Sequence, residues 1–285
     1  MDDRKSVVQQ IMDAGREYGG FQVINHGVPI KLMDELRGAC KEFFELSHEE
    51  KLKYIQGDYN KCKLLTSRIG YDHENVHFWR DLLRFACSDP LEEAREHWPD
   101  KPANYRDVTE KYIKKLNELS SNLLELICEG LGLEPGYFKN NNKLIQEKSF
   151  AVNYYPPCPD PSVALGIAMH SDPSILTLLL QGDVPGLQVW TKDGEWLTVE
   201  PIPDAIMVSV GYFLEIVSNG KLKADQHRAV TNAKKPRISA VLFSGPSRDS
   251  IVEPEKALLN AEHPPLFKPI QCFEYLLQKN KGMKA

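Results

Sequence analysis

Long apolar stretches are missing from this sequence. Its 285 residues contain no uninterrupted apolar run of the roughly 20 residues that a membrane-spanning helix needs. The N-terminus, Met-Asp-Asp-Arg-Lys, leads into a charged amphipathic segment and has no apolar core of the kind that defines a secretory signal peptide. We therefore expect no membrane span and a cytoplasmic location.

Closely spaced cysteines are also missing. The six cysteines are dispersed and no two of them form a Cys-x-x-Cys pair, which favours reduced, buried thiols over a disulfide framework or a thiolate zinc site. Basic residues are not in excess, because 35 lysines and arginines stand against 40 aspartates and glutamates, for a net charge of −5. A nucleic-acid partner is therefore disfavoured.

The spacing of apolar residues changes along the chain. Apolar residues recur at helical spacing within residues 4–18 and 104–130, whereas short β-rich runs separated by proline, glycine and aspartate fill residues 150–244. Many short strands with turn signals between them are typical of an all-β sandwich or barrel. We expect a mainly β protein with an N-terminal helical region (1–145), a β core (146–250) and a C-terminal helical tail (251–285). Strands are predicted at residues 150–155, 165–170, 175–181, 187–190, 196–199, 206–210 and 237–244.

Three side chains suggest a metal centre. His170 and Asp172 follow an apolar strand-like run, and side chains two residues apart on a strand point to the same face. His227, which begins another β-like run, is the best candidate for a third ligand. Two histidines and one carboxylate on one face of an octahedron leave positions open for a co-substrate and O₂, which suits non-haem Fe(II). Any strand end can carry a lone His-x-Asp, so the assignment depends on the sequence around it.

The sequence around these residues carries further short motifs. Residues 21–28 read Phe-Gln-Val-Ile-Asn-His-Gly-Val, residues 153–161 read Asn-Tyr-Tyr-Pro-Pro-Cys-Pro-Asp-Pro, and Arg237-x-Ser239 follows the distal histidine. From about residue 5 to residue 275 the chain resembles the plant Fe(II)/2-oxoglutarate-dependent dioxygenases. It is most similar to the hyoscyamine 6β-hydroxylase-like branch at residues 98–106, 127–133, 258–260 and 264–265.

This resemblance implies a fold and a set of binding residues. The fold is a double-stranded β-helix, or jelly roll, with flanking helices. Arg237 and Ser239 are implied to hold the distal carboxylate of 2-oxoglutarate, and a guanidinium can indeed grip a carboxylate with two hydrogen bonds. Asn153 and Tyr155 are implied to make further contacts with 2-oxoglutarate, although a strand tyrosine is often a core residue.

The resemblance also implies a reaction. Such enzymes convert 2-oxoglutarate and O₂ into succinate and CO₂ while they oxidise a C–H bond, and ascorbate supports their activity. The expected substrate is a small specialised metabolite, such as an alkaloid or a phenolic, that is hydroxylated, desaturated, epoxidised or demethylated by a monomeric enzyme. Aromatic candidates for the substrate pocket, with core packing an equal alternative for the first two, are Phe243, Phe213, Tyr71, Phe78 and Trp79.

Departures from the family pattern lead to alternatives. The chain begins at the helix that follows the family's usual first strand and stops soon after Tyr275. The main alternative is therefore a jelly-roll protein that binds a ligand or partner but has lost turnover. Gly211-Tyr212 replaces the family's common Gly-Asp or Gly-Glu, with little effect expected on iron binding. A zinc hydrolase built on the same three side chains is a third hypothesis. It leaves Arg237-x-Ser239 without a purpose, and no general-base carboxylate stands at a recognisable spacing.

Overall fold

Helices alternate with strands in the first half of the chain, and strands predominate in the second. The structure, a computed structural model, describes residues 2–67 and 77–282. The helices are α1 (Asp2–Glu17), α2 (Ile30–Glu45), α3 (His48–Ile55), α4 (Leu91–Arg95), α5 (Tyr105–Leu131), α6 (Tyr137–Asn140), α7 (Tyr212–Val217) and α8 (Cys272–Gly282). The strands are β1 (Gly20–Val23), β2 (Cys62–Thr66), β3 (His77–Phe78), β4 (Asp81–Ala86), β5 (Glu147–Tyr155), β6 (Ala164–His170), β7 (Leu176–Leu180), β8 (Leu187–Trp190), β9 (Trp196–Thr198), β10 (Ile206–Val210), β11 (His227–Val230), β12 (Arg237–Gly245), β13 (Ile251–Val252) and β14 (Ile270–Gln271).

Two large sheets form the centre of the fold. One has seven strands in the order β1-β10-β7-β12-β5-β4-β2, and the other has five in the order β3-β6-β11-β8-β9. The sheets approach each other closely at Gly166 on β6, where an added Cβ would lie 2.4 Å from the ring of Tyr155 on β5. A glycine is required there because any side chain would collide with that ring. The two facing sheets form the expected jelly roll, and the predicted mainly β fold with flanking helices is confirmed.

Side chains of the seven-stranded sheet alternate between two environments. Phe150 and Val152 on β5 and Leu242 on β12 are fully buried in the hydrophobic core that the helices cover. Successive residues of a strand point to opposite sides, so the residues between them, including Arg237 and Ser239, face the five-stranded sheet. Packing of the apolar side against the helices therefore decides which polar side chains line the inside of the jelly roll.

Helix α5 covers much of this apolar side. Its buried stripe packs against α1 and α2, as the helical periodicity of residues 104–130 predicts. Tyr112 on α5 contacts Phe150, with ring centroids 6.2 Å apart. Phe85 on β4 lies between Phe150 and Trp98, at centroid distances of 5.5 Å and 5.2 Å. Aromatic rings thus connect the long helix to the centre of the sheet.

The stretch between residues 53 and 100 differs from expectation. It has no clear periodicity in sequence, yet it contains β2, β3 and β4, so the region 1–145 supplies four strands as well as helices. Strand β4 conceals its alternation because Leu82 and Leu83 are adjacent and point to opposite sides. The predicted strands between residues 150 and 244 are confirmed, with small shifts of their ends. Within the described ranges, no helix is long and apolar enough to cross a membrane.

Replacing Phe150 by alanine tests the aromatic link between the sheet and α5. The ring is 0% exposed, so its removal leaves a cavity, and we expect a loss of about 3–5 kcal/mol in the free energy of unfolding. Equilibrium urea unfolding followed by circular dichroism measures this loss. Phe273→Ala on α8 is a matched control, because this ring is 42% exposed and its removal should cost about 0.5 kcal/mol or less. Equal losses in both variants would contradict the assignment of Phe150 to the core.

Candidate metal centre and co-substrate site

The structure brings His170, Asp172 and His227 together at one end of the jelly roll. His170 ends β6 and His227 begins β11, and the two residues are paired across these neighbouring strands. The Asp172 Oδ1 atom lies 3.5 Å from His170 Nε2 and 3.9 Å from His227 Nε2. One ligand atom from each residue lies within 4.8 Å of the other two. This is the spacing expected of three side chains around one metal ion.

Hydrogen bonds orient the first two of these side chains. His170 Nδ1 lies 2.9 Å from the carbonyl oxygen of Ala168, which fixes the proton on Nδ1 and leaves the Nε2 lone pair facing Asp172. The other carboxylate oxygen of Asp172 accepts a 2.7 Å hydrogen bond from the Thr177 hydroxyl on β7. Because Thr177 is in turn 3.0 Å from the hydroxyl of Ser174, the buried carboxylate is held by a small polar network.

The third side chain, His227, is backed by a second buried carboxylate. Its Nδ1 lies 3.4 Å from Asp225 Oδ1, and Asp225 is only 3% exposed. The Ser209 hydroxyl on β10 donates a 3.0 Å hydrogen bond to the other Asp225 oxygen. A carboxylate behind the distal nitrogen is the usual arrangement for a metal-binding imidazole, because it directs the free lone pair of Nε2 towards the ion.

The charges of these groups depend on one another. Burial alone would raise the pKa of Asp172, but the charge of His227, the neighbouring His170 ring and a hydrogen bond from Thr177 outweigh it and hold that pKa well below its usual range. Burial alone would lower the pKa of His227, but the carboxylates of Asp225 and Asp172 outweigh it and raise the pKa to about 9. Without a metal, the site is thus a buried pair of opposite charges at neutral pH.

The donor set fits Fe(II). It offers two imidazole nitrogens and one carboxylate oxygen from a single face, which leaves room on the opposite side for other ligands. His227 Nδ1 and Asp225 Oδ1 are both buried without another hydrogen-bond partner and lie 3.4 Å apart, so the carboxylate is the group that can fix the proton on Nδ1 and leave Nε2 for an ion. Among the described residues, no other group of histidine, cysteine and carboxylate side chains is arranged this way.

The residues predicted to hold 2-oxoglutarate lie on neighbouring strands of the seven-stranded sheet. Arg237 pairs with Tyr155, and Ser239 pairs with Asn153, across β12 and β5. Arg237 is 3% exposed, its Nε donates to the Val184 carbonyl oxygen at 3.1 Å, and its guanidinium lies 5.1 Å from the centre of the Tyr155 ring. Burial lowers the pKa of Arg237. Since it forms no ion pair with any described carboxylate, it is a buried cation that calls for an anion.

The residues predicted to form the substrate pocket have different positions. Phe243 is half-buried on the inward face of β12 and pairs with Thr177, the residue that holds Asp172. Phe78 lies on β3, an edge strand of the five-stranded sheet, and pairs with Leu165, whereas Trp79 follows that strand and its indole donates to the Pro157 carbonyl oxygen. Tyr71 lies outside the described residues.

Phe213 lies in the hydrophobic core and not beside the metal centre. It is 0% exposed and packs inside the core, with its ring 5.4 Å from that of Tyr275. Of the two roles expected for Phe213, the structure therefore supports core packing and not the pocket wall, because α7 turns this side chain away from the inside of the jelly roll and into its apolar core.

Four polar residues of the site escaped sequence reasoning. Thr177, Ser209 and Asp225 support the candidate metal ligands, and Arg80 donates a 3.0 Å hydrogen bond to Asn153. Thr177 and Ser209 do carry a signal, because each is a polar residue inside an otherwise apolar strand. Asp225 and Arg80 lie outside the strands and are connected to the site only by the fold.

Both the sequence and the fold of this chain are similar to those of known oxygenases. Residues 146–246 match the family described as 2OG-Fe(II) oxygenase superfamily, and residues 1–104 match the one described as non-haem dioxygenase in morphine synthesis N-terminal. Hyoscyamine 6-dioxygenase of Hyoscyamus niger is 42% identical over 94% of this chain and 80% of its own length. 2'-Deoxymugineic-acid 2'-dioxygenase of Hordeum vulgare is 39% identical over 96% and 80%, respectively. The crystal structure of JOX2 in complex with 2OG, Fe and JA has a TM-score of 0.85 at 33% identity, covering 96% of this chain and 81% of that one.

Metal affinity should rise with pH. The pKa of about 9 means that His227 is protonated at pH 7, and a metal has to displace that proton. The dissociation constant for Mn²⁺ should therefore tighten about tenfold per pH unit between pH 7 and pH 9 and level off above it, as measured by calorimetric titration under anaerobic conditions. Asp225→Asn removes a charge that raises the pKa of His227, so its profile should level off at a lower pH. A wild-type affinity that does not change with pH would contradict this electrostatic picture.

Proposed function

The chain belongs to the 2OG-Fe(II) oxygenase superfamily as a 2-oxoglutarate-dependent dioxygenase, and from this membership we propose its particular activity. It couples the decarboxylation of 2-oxoglutarate to the oxidation of a C–H bond in a small specialised metabolite, such as an alkaloid or a phenolic. The name of hyoscyamine 6-dioxygenase, at 42% identity, supports an alkaloid-like substrate. Hydroxylation is the basic outcome, and desaturation, epoxidation or demethylation are variants of it.

One observation carries the proposal, namely the buried Arg237 that has no carboxylate partner among the described residues. A guanidinium that is 3% exposed is costly to bury alone, and a dicarboxylate co-substrate supplies the missing negative charge. Ser239 lies beside it, 3.5 Å from Arg237 Nη1, and completes the contacts to one carboxylate. A zinc hydrolase leaves this buried cation unexplained.

The residues of the chain have separate roles in this mechanism. His170, Asp172 and His227 would hold Fe(II), which supplies the activation of O₂ and the oxidation of the substrate carbon. Arg237 and Ser239 bind the distal carboxylate of 2-oxoglutarate. With Asn153 and Tyr155 on the adjacent strand, they orient its other end towards the metal centre. The four co-substrate residues and Asp172 are buried between the two sheets, which limits the access of water to the co-substrate.

Further features of the proposal concern the conditions of activity. Ascorbate keeps the iron reduced and thereby supports repeated turnover. The enzyme acts as a monomer in the cytoplasm, with O₂ and small molecules as its partners.

Mass spectrometry of a plant metabolite extract, incubated with the protein, Fe(II), ascorbate and 2-oxoglutarate, identifies the substrate by the mass shift of the product.

Removing a metal ligand should abolish turnover without unfolding the protein. Substitution of residues behind metal ligands already costs about 10- to 100-fold, so Asp172→Ala and His227→Ala should each lose more than about 100-fold in succinate formation. Far-ultraviolet circular dichroism should stay unchanged. His263→Ala is the matched control, because His263 is exposed and distant in sequence from the three ligands. Unchanged succinate formation in Asp172→Ala would refute the metal centre.

Replacing Arg237 by glutamine should weaken the binding of 2-oxoglutarate specifically. Loss of a charge-assisted pair corresponds to a dissociation constant about 10- to 100-fold higher, while Mn²⁺ affinity stays the same because the metal ligands are untouched. Anaerobic titration of the Fe(II)-loaded protein, followed through the visible absorption band of the 2-oxoglutarate chelate, measures the constant. No band in the wild-type protein, together with no succinate under any condition, would instead support the binding protein that has lost turnover.

A further inference from the structure

A group of cations lies on the inward face of the seven-stranded sheet, at the edge away from β1. Arg84 on β4 pairs with Lys63 on β2, the edge strand, and both side chains are half-buried. Arg80 lies four residues before Arg84, near the start of the same strand, and its side chain reaches Asn153. The metal centre and the 2-oxoglutarate residues do not use Arg84 or Lys63.

Arg84 is held in place by neutral partners. Its Nη1 donates to the Tyr59 hydroxyl at 3.0 Å, its Nη2 donates to the Ser149 hydroxyl at 3.2 Å, and its guanidinium lies 5.4 Å from the centre of the Tyr59 ring. Within residues 2–67 and 77–282, no carboxylate forms an ion pair with Arg84 or Lys63. Glu147 on the same face of β5 is exposed and also makes no such pair. The guanidinium is therefore fixed in direction and not neutralised.

The pairing of Arg84 with Lys63 places a second positive charge directly beside the Arg84 guanidinium. Like charges directly opposite each other on neighbouring strands repel and destabilise the sheet. Such a pair on a half-buried face is understandable when an anion binds between or beside the two side chains. A bound carboxylate would offset this repulsion, because it attracts both Arg84 and Lys63.

The position of Arg84 relative to the metal centre fits a substrate group. On the inward face, Arg84 is followed across the sheet by Ala151 on β5, Val241 on β12 and Leu179 on β7. Ser149, the partner of Arg84, is the strand neighbour of Phe243, which in turn pairs with Thr177 beside Asp172. Three strand spacings separate β4 from β7, or about 14 Å, and the arginine side chain spans part of that distance. A small molecule held by Arg84 would thus reach towards the metal centre over short aliphatic side chains.

We propose that Arg84, supported by Lys63, binds a carboxylate of the substrate, so that the enzyme oxidises a small organic acid; of the two classes of metabolite proposed above, this selects an acidic phenolic over a basic alkaloid. This assignment rests on the proposed function, because it places the acid in the site of the 2-oxoglutarate-dependent reaction. Arginine suits the role, since its planar fork can form two parallel hydrogen bonds with a carboxylate. Phe243 then lies between the carboxylate and the metal centre, where its ring would pack against the body of the substrate.

Binding of benzoate and of benzamide, which have nearly the same shape but different charge, tests the proposal. The protein is loaded anaerobically with Fe(II) and saturating 2-oxoglutarate, so that benzoate cannot occupy the Arg237 site. Calorimetric titration should show that benzoate binds about tenfold or more tightly than benzamide. Arg84→Gln should remove this difference, and Arg84→Lys, which keeps the charge but not the fork, should retain part of it. Thermal unfolding of each variant checks that the fold is kept.

The matched control is Arg4→Gln, because Arg4 is an exposed arginine on α1 that pairs with Glu129. It should keep the full preference for benzoate. Equal affinity of the wild-type protein for the two probes, including no binding of either, would overturn the proposal, as would an unchanged preference in Arg84→Gln. Succinate formation in air separates this result from the proposed function. Succinate without benzoate preference contradicts the Arg84 assignment alone, whereas benzoate preference without succinate contradicts the reaction and leaves the anion site standing.

Discussion

The pairing of β5 with β12 is the interaction on which the rest of the site depends. The two strands are joined in antiparallel register from Glu147 opposite Gly245 to Tyr155 opposite Arg237. On one side, their apolar residues are buried beneath the helices. On the other, Arg237 and Ser239 stand beside Tyr155 and Asn153. A slip of one residue would bring the polar row into the apolar core, so hydrophobic packing on the opposite side of the sheet fixes the position of the residues proposed to bind the co-substrate.

The candidate metal centre joins the two sheets. His170 and His227 come from paired strands of the five-stranded sheet, whereas the carboxylate of Asp172 is held by Thr177 on β7 of the seven-stranded sheet. Asp225, behind His227, is in turn held by Ser209 on β10 of that larger sheet. Asp172 directly, and His227 through Asp225, therefore depend on hydrogen bonds across the space between the sheets, whereas His170 is oriented within its own strand. Displacement of one sheet against the other would separate the ligands, and a bound metal should oppose such displacement.

Sequence reasoning succeeded where a local pattern determines the structure. The strands between residues 150 and 244 follow from alternation and turn residues, and the three metal candidates follow from their place at strand ends. It failed at β4, where Leu82 and Leu83 conceal the alternation, and it could not choose between core and pocket for Phe213, whose burial depends on how a short helix packs. Asp225 could not be assigned from sequence, because only the fold shows that its carboxylate stands behind an imidazole ring and not in solvent.

The inward face of the seven-stranded sheet also explains how one fold can keep its co-substrate and change its substrate. Arg237 is 3% exposed and lies between the sheets, where it contacts the Val184 carbonyl oxygen, the Ser239 hydroxyl and the Tyr155 ring. Arg84 is half-buried on the strand next to the edge strand β2, and its hydrogen-bond partners are the neutral hydroxyls of Tyr59 and Ser149. Substitutions at the two arginines should therefore differ in cost. A change at Arg237 would leave buried polar groups without partners, whereas a change at Arg84 leaves its partners in contact with water. We therefore expect the co-substrate site around Arg237 to tolerate little change, and the choice of substrate to depend on residues such as Arg84 near the edge of the sheet.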